Sequence, residues 1–62
     1  MNKKQRERLS TAIDVLREIA DEERDKVESA PANLAQTDQY VRMEECADAI
    51  DSATAELDEY AS

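Results

Sequence analysis

The chain has 62 residues, of which 16 are Asp or Glu and 8 are Lys or Arg, so its formal net charge is −8. A chain this short forms at most one small domain, and an acidic body is repelled by phosphate backbones and anionic membrane surfaces. With no histidine and one cysteine, the chain cannot form an internal disulfide and has too few ligands for a structural zinc site. The absence of glycine argues against phosphate-binding loops and most β architecture.

The first predicted helix covers about residues 3 to 29. Seven of its positions recur at alternating intervals of three and four residues, which keeps one stripe of a helix turned towards a partner helix. They are Leu9, Ile13, Leu16, Ala20, Glu23, Val27 and Ala30. Val15 and Ile19 lie on the flank of this stripe, where we expect a second contact to cover them. Glu23 either fixes the register of the helix pair or is partly wet near the loop, with an arginine in reach.

The connection between the helices contains the only proline of the chain, Pro31. Proline lacks a backbone donor and disfavours helical geometry in the residue before it, so the first helix ends just ahead of it. Residues 30 to 37 are predicted to form the connection. Leu34 is expected to pack back over the end of the bundle, with exposure to solvent as the alternative. Thr37 or Asp38 is the predicted N-cap of the next helix, accepting a hydrogen bond from a free amide.

The second predicted helix covers about residues 38 to 60. Its apolar stripe has the same spacing and consists of Met43, Cys46, Ile50, Ala53, Leu57 and Tyr60. We interpret Cys46 as a small core residue, since its acidic neighbours disfavour a reactive thiolate. Tyr40 and Tyr60 are interpreted as caps of the bundle. The outer side of the helix is predicted to consist of Asp48, Asp51, Ser52, Ala55 and Glu59.

These elements predict an all-α fold, a two-helix antiparallel hairpin that resembles a coiled coil, because a short connection makes the helices antiparallel neighbours. Folding about the loop centre places Val27 near Tyr40, Ala20 near Ala47, Leu16 near Ile50, and Leu9 near Leu57. So few large apolar side chains leave one hairpin near the limit of stability. We therefore expect a homodimer that forms a four-helix bundle, with a different protein on the same flank as the alternative. The expected core and self-association residues are Leu9, Ile13, Val15, Leu16, Ile19, Val27, Met43, Ile50 and Leu57.

Two acidic ribbons follow the outer faces of the predicted helices. The first helix contributes Asp14, Glu18, Asp21 and Asp25, joined by Glu7 and Glu28, and the second contributes Asp48, Asp51, Asp58 and Glu59. Carboxylates three or four residues apart lie roughly 5–6 Å from each other, which is broadly comparable with phosphate spacing. One hypothesis is that the ribbons mimic a phosphate backbone towards a basic protein. The alternative is a solvated face that keeps the bundle soluble. Because these carboxylates diverge into solvent, we expect no divalent cation site.

The N-terminus is the one basic part of the chain, with Lys3, Lys4, Arg6 and Arg8. Because no aromatic residue is interleaved with them, direct binding of nucleic acid is not expected. We expect these residues to pair with the acidic end of the second helix, within the chain or across a dimer. They are also the only obvious ligands for a third and more distant hypothesis, a small anionic ligand bound at an oligomer interface.

Several segments together resemble a group of small phage and prophage proteins that have no settled function. The segments are Asp21-Glu22-Glu23-Arg24, Pro31-Ala32-Asn33-Leu34, Met43-Glu44-Glu45 and Ala49-Ile50-Asp51. The shared pattern is a charged helix ending in Glu-Glu, a short Pro-x-Asn-Leu loop, and an acidic helix rich in Glu and Ala. The resemblance covers roughly residues 18 to 59. It implies phage origin and a helical hairpin, and it supplies no catalytic residues.

The sequence favours a protein-binding module over an enzyme. It has no histidine, no credible pair of nucleophile and base, and no phosphate loop, so neither catalysis nor a cofactor is expected. The leading hypothesis is a phage accessory or inhibitory protein that docks on a basic partner, such as a host nucleic-acid enzyme or defence factor. The alternative is a structural or assembly protein that contacts only copies of itself. The lone cysteine and the lack of a signal-peptide core predict a cytoplasmic location.

Overall fold

The computed structural model describes residues 1–34 and 36–62 and consists of two helices packed against each other. Helix α1 is Lys3–Glu28 and helix α2 is Asp38–Ala61, so each bound lies within one residue of its predicted position. No strand occurs in the described residues, and the fold is an all-α hairpin. The hairpin is a thin rod of 49 × 15 × 12 Å. Ala35, which lies within the predicted connection, is outside the described residues.

A capping box that was not predicted from the sequence begins α1. The backbone amide of Gln5 donates to the side-chain oxygen of Asn2 at 2.8 Å, and the amide of Asn2 donates to Oε1 of Gln5 at 3.1 Å. Both donors would otherwise lack a partner at the helix end. An asparagine followed three residues later by a glutamine is a readable signature of this motif, so the signal was present in the sequence.

Two successive turns connect the helices. The amide of Leu34 donates to the carbonyl of Pro31 at 2.8 Å, and the amide of Thr37 donates to the carbonyl of Leu34 at 3.0 Å. Thr37 is the N-cap of α2, but its hydroxyl does not accept a helix amide as predicted. Instead, the hydroxyl donates to the Leu34 carbonyl at 2.8 Å and reinforces the turn. The prediction that Leu34 packs over the bundle end is wrong, because this residue is 40% exposed.

The core lies along the line where the helices meet. Its fully buried residues are Ile13 and Ala20 on α1 and Ala47 and Thr54 on α2, seven residues apart on each helix. Leu16 and Ile50 are half-buried between these residues, and further half-buried apolar residues extend the line in both directions: Leu9, Val27, Tyr40 and Met43. The hydroxyl of Thr54 donates to the Asp51 carbonyl at 3.1 Å, so its burial leaves no polar group without a partner.

The predicted stripe of α2 is wrong at every second position. Cys46, Ala53 and Tyr60 are exposed in the hairpin, and Ala47 and Thr54 take their place in the core. The two stripes are hard to separate because both use Met43, Ile50 and Leu57 and differ only in small or amphipathic residues. Cys46 is therefore not a core residue of the hairpin, and Tyr60, which is 62% exposed, does not cap it. Leu57 lies at the edge of the core and is 36% exposed.

Candidate protein-binding surfaces

Two arginines of α1 form ion pairs with three aspartates of α2 along one side of the hairpin. The Arg24 guanidinium donates to Asp48 at 3.2 Å and also to Asp51, and Arg17 lies 3.7 Å from Asp58. Arg17 and Arg24 are seven residues apart, and so are Asp51 and Asp58, so the pairs repeat along one flank of the helices. This row of ion pairs is called the charged side below.

The prediction that Asp48 and Asp51 form the outer surface of α2 is wrong, because both belong to the charged side. Both lie beside α1, and the hydrogen bonds that Arg24 donates, first to Asp51 and then to Asp48, raise the pKa of Arg24 above its ordinary value. The aspartate side chains are still 70% and 47% exposed, so each ion pair is a surface contact of small energy. The Arg24 side chain nevertheless partly neutralises this region of α2.

Replacing Arg24 by glutamine is expected to lower the thermal midpoint of the hairpin, because Asp48 and Asp51 then repel each other without a cation between them. The decrease in the thermal midpoint is expected at low salt and should become smaller near about 1 M salt, where exposed charges are screened. Thermal unfolding followed by circular dichroism measures it. Arg42→Gln is the matched control, since it removes the same charge from an exposed position on α2. Equal losses for the two variants would show that only net charge matters.

The acidic ribbon of α1 differs from that of α2. Asp14, Glu18, Asp21 and Asp25 are all exposed. Among residues 1–34 and 36–62, none of these four carboxylates is paired with a basic side chain. The α1 ribbon therefore presents four carboxylates to solvent, whereas Arg17 and Arg24 engage much of the α2 ribbon.

Glu23 is half-buried, as its place in the α1 stripe requires, and it is paired within its own helix. The Lys26 ammonium donates to Glu23 at 2.9 Å, which raises the pKa of Lys26 above its ordinary value. The partner of Glu23 is thus a lysine of the next turn and not an arginine. This pair gives no support to a special pairing role for Glu23 between the helices.

Within residues 1–34 and 36–62, the basic residues of the N-terminus do not form the intramolecular pairs that the sequence suggested. Lys3, Lys4, Arg6 and Arg8 are exposed. In the described part of the chain they make no ion pair with the acidic end of α2, where Asp58 is paired with Arg17 instead. Pairing across a dimer, the other alternative, stays a prediction.

A shallow hollow near the loop end has a volume of about 150 Å³ and is lined by Arg24, Val27, Glu28, Glu44 and Asp48. It is smaller than the roughly 300–1,000 Å³ of typical small-molecule sites, and Arg24 is already engaged there. The hollow therefore offers no substantial binding site.

Within the described residues, no three acidic or cysteine side chains converge as a metal site would require. No described helix is long and apolar enough to cross a membrane.

The side of the hairpin away from the ion pairs carries several exposed apolar residues. Val15 is 49% exposed and Ile19 is 39% exposed on α1. On α2, Leu57 and Tyr60 expose 36% and 62% of their surface. The hairpin thus has two surfaces suited to protein contacts, the α1 acidic ribbon and an apolar flank.

Comparison with protein-family models, with curated proteins and with solved structures finds no match for this chain.

Proposed function

We propose that this protein is a non-enzymatic binding module that docks the α1 acidic ribbon on a basic protein. The observation that carries the proposal is the contrast between the two ribbons. Asp48, Asp51 and Asp58 of α2 are held by arginines, while Asp14, Glu18, Asp21 and Asp25 of α1 are exposed. A row of exposed carboxylates on a stiff helix is electrostatically complementary to a basic groove.

The class of partner follows from this charge pattern. Basic grooves are characteristic of proteins that bind nucleic acids, so a nucleic-acid enzyme or a defence factor of a host cell is the proposed target. The resemblance to small phage and prophage proteins supports an accessory or inhibitory role in the host cytoplasm. The exposed carboxylates diverge around α1, so the proposal assigns them binding and no catalysis.

The test compares two variants that lose the same number of negative charges. The ribbon variant carries Asp14→Asn, Glu18→Gln, Asp21→Asn and Asp25→Asn. The control carries Glu44→Gln, Glu45→Gln, Glu56→Gln and Glu59→Gln, which are all exposed on α2. Tagged proteins are used to capture host proteins at low and high salt, and the affinity for the retained protein is then measured.

A basic protein should be retained by the original chain and by the control, and lost by the ribbon variant. Four exposed ion pairs of about 0.2–1 kcal/mol each correspond to a loss of affinity between roughly fourfold and several hundredfold. High salt should release the partner from all forms that bind it, because exposed charges are screened. Unchanged binding by the ribbon variant would refute the proposal.

A second proposal concerns self-association. We propose that the hairpin pairs with a second copy to form a four-helix bundle, a role that would also suit a structural or assembly protein. The exposed Val15 and Ile19 support it, because apolar side chains on a flank gain free energy when a second copy covers them. Sedimentation equilibrium would then give twice the chain mass of 7.0 kDa, and the mass of one chain at all concentrations would contradict it.

A further inference from the structure

Six exposed residues form one continuous surface on the hairpin, which we call the apolar face. It consists of Val15 and Ile19 on α1 and Cys46, Ala53, Leu57 and Tyr60 on α2. None of these six side chains is charged, and charged residues one turn or one heptad away border them: Arg8, Glu22 and Lys26 on α1 and Arg42 on α2. An exposed apolar cluster with a polar rim is typical of a surface that another protein covers.

The ion pairs show that the two helices contribute to the same side. Arg24 follows the buried Ala20 by four residues, and Asp51 follows the buried Ala47 by four residues. Because Arg24 and Asp51 meet, these positions lie on one side of the hairpin. Residues that precede the buried alanines by one position, Ile19 and Cys46, must then share the opposite side, since each helical step turns about 100°.

The Ile13 and Thr54 level repeats this arrangement. Arg17 and Asp58 each follow a buried residue by four positions, and they meet on the charged side. Ala53 precedes the buried Thr54 by one position, so it lies on the same side as Ile19 and Cys46. The apolar face therefore extends over two heptads of the hairpin, opposite the charged side.

The area that the hairpin exposes suggests what covers the apolar face. Its accessible surface is 4820 Å² for a mass of 7.0 kDa, whereas a compact monomer of that mass exposes about 4,000 Å². The surplus of about 800 Å² equals what each partner buries in a protein interface of standard size. A second copy of the chain that covers the apolar face would bring the exposed area to that of an ordinary domain.

The charge distribution is compatible with a second copy. Two chains of net charge −8 repel each other, and the repulsion is weaker when their carboxylates stay apart. The four carboxylates of the α1 ribbon lie on the side of α1 that faces away from α2, and Glu18, three residues after Val15, is the one nearest the apolar face. Pairing through the apolar face, related by a two-fold axis, therefore directs the two α1 ribbons to opposite outer surfaces of the bundle.

We infer that the apolar face is the isologous interface of the homodimer, with Cys46, Ala53 and Tyr60 of α2 packed against a second copy beside Val15 and Ile19. This inference rests on the proposed self-association and adds its location. In this dimer, Cys46, Ala53 and Tyr60 of α2 form part of the interface between the chains, and the α1 ribbons remain exposed on the dimer surface.

Two substitutions at adjacent positions test the location. Ala53→Glu places a carboxylate in the apolar face, and Ser52→Glu adds the same charge one residue away, on the exposed outer side of α2. Sedimentation equilibrium over a concentration series should show that Ala53→Glu raises the dimer dissociation constant about 100-fold or more, since each dimer would bury two unpaired charges. Ser52→Glu should leave the constant within about threefold.

The single thiol gives a second readout that needs no substitution. Cys46 is exposed in the hairpin, so its rate of alkylation by iodoacetamide should fall as the concentration of the original chain rises through the dimer dissociation constant. In Ala53→Glu the rate should stay fast over the same range. This measurement remains decisive if that variant loses helicity, which circular dichroism would reveal.

A dimer that survives Ala53→Glu, breaks equally with Ser52→Glu, or leaves Cys46 equally reactive at all concentrations would overturn this location and leave the proposed dimer intact. A monomer at every concentration would overturn the location and the dimer together. Neither result affects the acidic-ribbon proposal, because that is tested by charge neutralisation on the other side of α1.

Discussion

Replacing Ile13 by alanine is expected to lower the free energy of unfolding by about 2–5 kcal/mol. Ile13 is 1% exposed and is the largest side chain that the hairpin buries completely. Its truncation removes apolar contacts and leaves a cavity between two helices that have few other buried groups. A chain of this length has a total stability of only about 3–9 kcal/mol, so the loss removes a large part of it.

Val41→Ala is the matched control for Ile13→Ala. Val41 is β-branched, helical and 38% exposed, and it lies outside the apolar face. Both changes replace a β-branched residue by the best helix former, so both gain helix propensity by a similar amount. Urea unfolding followed by circular dichroism at a fixed protein concentration should show a change within about 0.5 kcal/mol for Val41→Ala. A similar loss for both variants would mean that Ile13 does not organise the core.

Replacing Ala47 by leucine is expected to destabilise the hairpin by about 1–3 kcal/mol, although leucine is more apolar. Ala47 and Ala20 are both fully buried, and their small side chains allow the two backbones to approach closely. A leucine at this position must push the helices apart or adopt a strained rotamer. Either change weakens the packing of Ile13 and Thr54 one heptad away.

Ala55→Leu provides the comparison, because Ala55 is exposed eight residues further along the same helix. The same change of side chain there should alter the free energy of unfolding by less than about 0.5 kcal/mol. Thermal and urea unfolding of both variants measure the difference. If Ala47→Leu were as stable as the original chain, the helices would have to be farther apart than the complete burial of both alanines indicates.

The periodic spacing of apolar residues was sufficient to predict the two helices and their bounds. On α1, large residues such as Leu9, Ile13 and Leu16 occur at one set of positions, so the stripe was unambiguous. On α2, two stripes share Met43, Ile50 and Leu57 and differ only in small or polar residues. Thr54 is polar, but a threonine hydroxyl can donate to a carbonyl of its own helix, as it does here to the Asp51 carbonyl.

The candidate surfaces were predicted less well because they depend on that choice of stripe. Moving the core of α2 from Cys46 to Ala47 rotates the helix about its axis and brings Asp48 and Asp51 beside Arg24. The aspartates of the α2 ribbon thereby take part in the contact between the two helices. The α1 stripe was assigned correctly where Ile13 and Ala20 are buried, and the exposed α1 ribbon lies where the sequence predicted it. Its binding role stays a proposal.

The spacing of the α1 ribbon sets its linear charge density. From Asp14 to Asp25, four carboxylates extend over about 16 Å of helix axis, or roughly one charge per 4–5 Å. Duplex DNA carries one charge per about 1.7 Å, so the ribbon has less than half of that density. A basic partner would therefore release fewer counterions from the ribbon than from DNA. Its affinity for this protein should depend less steeply on salt than its affinity for DNA, so rising salt would shift the competition towards the protein.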